Sequence, residues 1–103
     1  MIKHVVMIKL KDYPAAFEKK MKLDNIKAEL EKLPNKIAEI KSYEVGLNIA
    51  VSPVAFDIVL ISEFENMKDL ITYKEHKEHK KVLEIIAESK QNSIVTDFVI
   101  EDK

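Results

Sequence analysis

Residues 56–64 read FDIVLISEF, and the stretch 58–61 inside them is unbroken apolar. At strand spacing Phe56, Ile58 and Leu60 fall on one face, while Val59 and Ile61 fall on the other. A strand that is apolar on both faces is covered on both, so it belongs inside a sheet.

The flanking sequence supplies the rest of that sheet. Residues 2–11, IKHVVMIKLK, alternate: Ile2, His4, Val6, Ile8 and Leu10 share one face, and Lys3, Val5, Met7, Lys9 and Lys11 the other. Residues 40–49, IKSYEVGLNI, alternate again, with Tyr43, Val45, Leu47 and Ile49 together. Residues 94–100, IVTDFVI, make a last strand with Ile94, Phe98 and Ile100 opposite Val95 and Val99. Over 15–33, Leu23, Ile26, Leu30 and Leu33 recur at helical spacing; Pro14 suits the first turn and Pro34 stops the helix. Asn66 followed by Asp69 reads as an N-cap with an acidic third residue, opening a helical region that runs to about Ser89.

The order is β-α-β-β-α-β over a single domain, 1–103. This is an α+β, ferredoxin-like arrangement: a four-stranded antiparallel sheet with two helices on one face. Two helices cover one face only. The other face carries Val5, Met7, Val59, Ile61 and further apolar residues of the last strand. An open patch of this size predicts a second copy on it, a homodimer closed face to face into an α/β barrel.

Composition excludes several classes. The 103 residues carry a net charge of −1, and all 17 basic residues are lysine. Balanced charge without arginine gives no reason to expect nucleic acid or an anionic membrane as partner. Gly46 is the single glycine, which removes glycine-rich phosphate loops, and the absence of cysteine removes thiolate chemistry and disulfides. The opening residues do not read as a signal peptide, no run is long enough for a membrane helix, and a cytoplasmic protein is expected.

The chemistry-bearing stretch is YKEHKEHK, residues 73–80. Met67, Leu70 and Ile71 define one helical stripe; Val82, Leu83 and Ile86 define another, turned by about 115° on a continuous helix. One straight helix cannot bury both, so a break is expected between Lys74 and Lys77. His79 then lies on the second stripe, Tyr73 at the edge of the first and His76 beside the break. His4 enters from the first strand, so His4, Tyr73 and His79 are expected to converge. His76 and His79, with Glu75 and Glu78 alongside, offer no evident third ligand, and neither a metal nor another cofactor is assigned.

HVVMIKLK, SYEVGLNI, AFDIVLISEFEN and the Y-x-x-H-x-x-H of residues 73–79, in this order, resemble the stress-responsive α/β-barrel (Dabb) domain family over essentially the whole chain. The resemblance implies a ferredoxin-like protomer that dimerises through its sheets. Some plant members are polyketide cyclases, and by that likeness Tyr73 and His79 would be an acid/base pair for an intramolecular aldol closure, with His4 lining the pocket. Asp57 stands where the cyclases have a third-strand histidine, and lysine follows His76 where the family often has proline. His4, His76 and Asp57 are the ligand-binding candidates. Three readings stay open: a homodimer binding a small apolar carbonyl-type molecule between sheet and helices, a cofactor-independent acid/base enzyme, and a structural dimer without chemistry.

Overall fold

The computed structural model describes residues 1–101. In chain order it has β1 (Ile2–Leu10), α1 (Ala16–Glu31), a short 3-10 turn (Leu33–Asn35), β2 (Ser42–Leu47), β3 (Ile58–Phe64), α2 (Met67–Glu75), α3 (Lys77–Ser89) and β4 (Lys90–Val99). The strands form one antiparallel sheet in the order β2-β3-β1-β4. The doubly apolar strand therefore sits inside, paired to β1, as its composition requires.

Three helices, not two, accompany the sheet, because the expected break separates α2 from α3. Asn66 caps α2 by accepting from the Asp69 amide at 2.9 Å, which satisfies one of the orphan donors of the first turn. Pro34 ends α1 in a 3-10 turn, which folds Leu33 and then Ile37 back into the core. β4 begins four residues before the alternation becomes visible, since Lys90, Gln91, Asn92 and Ser93 give no apolar period to read.

The core lies between the sheet and the helices. It holds Ile2, Ile8 and Leu10 of β1, Ile58, Leu60 and Phe64 of β3, Ile26 and Leu30 of α1, Leu70 and Tyr73 of α2, and Val82 and Ile86 of α3. Three stripe positions differ from expectation. Tyr73 is wholly buried, at the centre of its stripe, while Ile71 and Leu83 are half exposed. The opposite face of the sheet carries Val5, Met7, Val59, Ile61, Ile94 and Phe98, all partly or well exposed. Among the described residues, no helix is long and apolar enough to cross a membrane.

Candidate functional site

The ladders place four polar residues in one row across the helix-covered face. Tyr43 pairs with Ser62, Ser62 with His4, and His4 with Asp97, so the row crosses β2, β3, β1 and β4. The next row is apolar throughout: Val45, Leu60, Val6 and Val95. On the other side lie Phe64, Ile2 and Val99. A polar row through an otherwise apolar face carries a desolvation cost that only good partners offset.

Those partners are present. The Nδ1–H of His4 donates to the Asp97 carboxylate, and Lys74 reaches the other carboxylate oxygen at 3.5 Å. Ser62 donates to the His4 carbonyl at 3.5 Å. Tyr43 and Tyr73 share a hydroxyl–hydroxyl bond of 2.8 Å. Burial on its own would raise the Asp97 carboxyl, but the His4 hydrogen bond and the His4 and Lys74 charges outweigh it and hold it below the usual range.

Tyr73 is the hub of the aromatic packing. Its ring lies 5.0 Å from Phe64, 6.1 Å from His4, 6.2 Å from Tyr43 and 4.4 Å from His79, centroid to centroid. Burial pushes the Tyr73 hydroxyl up to about 12, against the lowering effect of the Tyr43 hydrogen bond. Burial, then the adjacent Tyr73, raises Tyr43 as well. Both phenols are neutral donors at neutral pH. One hydroxyl hydrogen serves the bond between them, which leaves the second for another acceptor.

The break in YKEHKEHK is built by its two histidines. A continuous helix would carry the Glu78 amide to the Lys74 carbonyl. Instead His76 adopts an extended conformation, φ −65° and ψ 137°, and its Nδ1 accepts the Glu78 amide at 3.1 Å. The carbonyl left behind on Lys74 accepts from His79 Nδ1–H at 3.1 Å. That bond fixes the His79 tautomer, so in the neutral ring Nε2 is the basic nitrogen. Burial lowers the His79 pKa and the neighbouring positive groups add to the effect, while the Lys74 carbonyl opposes it.

His4, Tyr73 and His79 are thus brought together, and His76 stands beside them as the cap of α3. Asp57 is not. It precedes β3, accepts the Leu10 amide at 2.8 Å and pairs with Lys19 at 3.1 Å, far along the strand from Ser62. Tyr43, Ser62 and Asp97 were missed by the sequence reading. Ser62 and Asp97 each break an apolar run and Tyr43 passes as one position of an apolar alternation, so only the strand register shows that the three are level with His4. Two cavities of about 460 and 420 Å³ lie elsewhere: one on the uncovered sheet face beside Met7, Val59 and Ile94, the other along α1 beside Met21 and Lys22. Among the described residues, no three histidine, aspartate or glutamate side chains are grouped as a metal site requires.

Among curated proteins, none matches the chain. Solved structures do. A dimeric protein of unknown function with a ferredoxin-like fold from Bacteroides fragilis is 37% identical, with 96% of this chain and 95% of that chain covered and a TM-score of 0.85. A hydroxynitrile lyase from Passiflora edulis shares the fold at 16% identity, with 99% and 94% covered and a TM-score of 0.81. A Dabb family protein with a ferredoxin-like fold from Mesorhizobium loti is 20% identical, with 98% and 97% covered and a TM-score of 0.72. The model of the stress responsive A/B barrel domain (Dabb) matches residues 2–100, and the chain belongs to that family.

Proposed function

We propose that this protein is a homodimer that takes a small apolar carbonyl compound at the polar row, with His79 as the group that exchanges a proton. The observation that carries the reading is the row itself: Tyr43, Ser62, His4 and Asp97 level across an apolar face, with Tyr73 and His79 set over it. A core built for stability alone gains nothing from four polar groups there that apolar residues would not give at lower cost.

The chemistry follows from the hydrogen bonds. His79, neutral with Nε2 basic, can accept a proton from the carbon beside a carbonyl. The spare hydroxyl hydrogen of the Tyr43–Tyr73 pair can donate to the oxygen on which negative charge then develops. Asp97 holds the His4 ring and the Lys74 ammonium at the β4 end of the row. Dimerisation covers the open face of Val5, Met7, Val59, Ile61, Ile94 and Phe98, and the Bacteroides fragilis relative, itself dimeric, supports it. The hydroxynitrile lyase of Passiflora edulis supports the view that this fold can hold an active site.

A second reading has its own observation. Among the described residues, every buried side-chain nitrogen and oxygen has a hydrogen-bond partner, as a finished structural core would. Acetophenone in deuterium oxide separates the readings by proton NMR. Exchange of its methyl hydrogens above the protein-free rate, lost in a folded His79→Ala variant, supports the acid/base enzyme. Shifts of the His79 ring signals without exchange support a binding protein. With neither, the structural dimer stands.

A further inference from the structure

Read across the strands from β2 to β4, the open face of the sheet has level rows. One is Ser42, Glu63, Lys3 and Phe98; the next is Glu44, Ile61, Val5 and Thr96; the third is Gly46, Val59, Met7 and Ile94. The two outer rows run from a small residue on β2 to a large one on β4, where Phe98 and Ile94 are 44% and 48% exposed. Two features of these rows have no use within one chain. Gly46 sits inside a strand, where glycine costs stability, and its φ is not positive, so the backbone does not require it. A Cβ there would meet only Val59 Cγ1 within 4 Å, at 3.1 Å, and the cavity of about 460 Å³ on this face opens beside the two residues. Lys3 and Glu63 are level neighbours and both half-buried, yet among the described residues neither is in an ion pair.

A second copy can lie on this face about a two-fold axis that runs either across the strands or along them. An axis across the strands sets each strand against its own counterpart and reverses the levels. Taken through the middle row, it puts Met7 against the partner's Lys3, Val59 against the partner's Glu63 and Glu44 against the partner's Glu44. Charges then meet apolar side chains or like charges, which is costly. An axis along the strands keeps every row level with itself and sets β2 against the partner's β4, and β3 against the partner's β1. Lys3 then faces the partner's Glu63, and Glu63 the partner's Lys3. Gly46 faces the partner's Ile94, Ser42 the partner's Phe98, Val59 the partner's Met7 and Ile61 the partner's Val5, while the exposed Glu44 faces Thr96. Each charge in the interior of the face meets its opposite, and each small residue meets a bulky one. A two-fold interface needs this self-complementarity. Packed sheets stay within about 30° of alignment, so the match is closest over β1 and β3, next to the axis.

We propose that the homodimer forms about the axis along the strands, with Lys3 and Glu63 of the two copies in a ring of alternating charges and Ile94 of each copy seated in the hollow at Gly46 of the other. The proposal rests on the homodimer reading. It adds how the two open faces meet and which residues select a second copy of this chain as the partner.

Charge reversal tests the ring. Lys3→Glu makes it wholly acidic, and Glu63→Lys wholly basic. In sedimentation equilibrium each variant alone is expected to show a dimer dissociation constant raised about tenfold or more, because like charges now face each other. A re-equilibrated one-to-one mixture of the two is expected to associate as the parent does, since every acidic pair then faces a basic one. Variants that associate like the parent, or a mixture no stronger than the variants alone, overturn this arrangement and leave the homodimer standing. A parent chain that sediments as a monomer of 11.9 kDa removes the homodimer reading and the arrangement with it. Where circular dichroism shows that a variant does not fold, the parent chain decides. Isotope-labelled and unlabelled parent are mixed and treated with a carbodiimide, which joins lysine to glutamate directly. A covalent dimer whose labelled and unlabelled peptides are joined at Lys3 and Glu63 is expected, and a dimer joined only elsewhere overturns the arrangement.

Discussion

The ring of His79 donates to the carbonyl of Lys74, where an unbroken helix would have put the amide of Glu78. His76 takes that amide instead. The two histidines therefore replace the two ends of one lost helical bond, and the rings of Tyr73 and His79 lie against each other across the break, 4.4 Å apart.

His76→Ala removes the acceptor from the start of α3. The expected cost is about 1 kcal/mol, the usual size of a lost N-cap, with His76→Asn or His76→Ser recovering most of it. Urea denaturation measures this. Equal stability of the alanine variant and the parent would mean that the cap contributes nothing.

His79 has a pKa lowered chiefly by burial, below the ordinary value of about 6.5. Between that ordinary value and the lower folded one, the unfolded chain binds a proton that the folded chain does not. Stability is therefore fully present above the ordinary value, falls as pH drops through the window, and levels off below the folded value. His79→Gln is expected to flatten that part of the profile, with His4 and His76 unchanged in both proteins. An NMR titration of the His79 ring with a midpoint at or above the ordinary value would contradict the burial argument.

The alternation of β1 and the doubly apolar run of β3 showed the fold early, because both are periods of a few residues that one strand states alone. The α2–α3 break was legible for the same reason: two stripes out of phase on one helix. The polar row was not. Ser62 reads as a gap in one strand and Asp97 as a gap in another, and no period connects residues 35 apart. Asp57 misled for a related reason, since its place in the chain suggested a site while its carboxylate is held by Leu10 and Lys19.

Asp97 is held below the usual carboxylate range in the folded chain. Its contribution to stability is present above the unfolded value of about 3.9 and is lost as pH falls through the lower folded value. Glu78, lowered mainly by its hydrogen bond to Lys81, acts in the same direction, so the comparison needs a variant. Asp97→Asn is expected to lose less stability than the parent over this acid window, and to be the weaker protein near neutral pH. Parallel profiles for the two proteins would show that Asp97 is not tied to His4 and Lys74 in solution.

The Tyr43–Tyr73 bond predicts an asymmetry. Tyr73 is wholly buried and Tyr43 partly exposed. Tyr43→Phe leaves the Tyr73 hydroxyl buried without its partner, at an expected cost of about 1–3 kcal/mol. Tyr73→Phe leaves the Tyr43 hydroxyl where water can replace the bond, and the expected cost is nearer the ordinary ~0.5–1.5 kcal/mol. The double variant removes both hydroxyls, so no group is left unpaired and its cost is expected to be less than the sum of the two single costs. A cycle of the four proteins in urea measures the coupling. Additive costs would show that the two hydroxyls are not coupled in solution, and a dearer Tyr73→Phe would place the stronger demand for a partner on Tyr43.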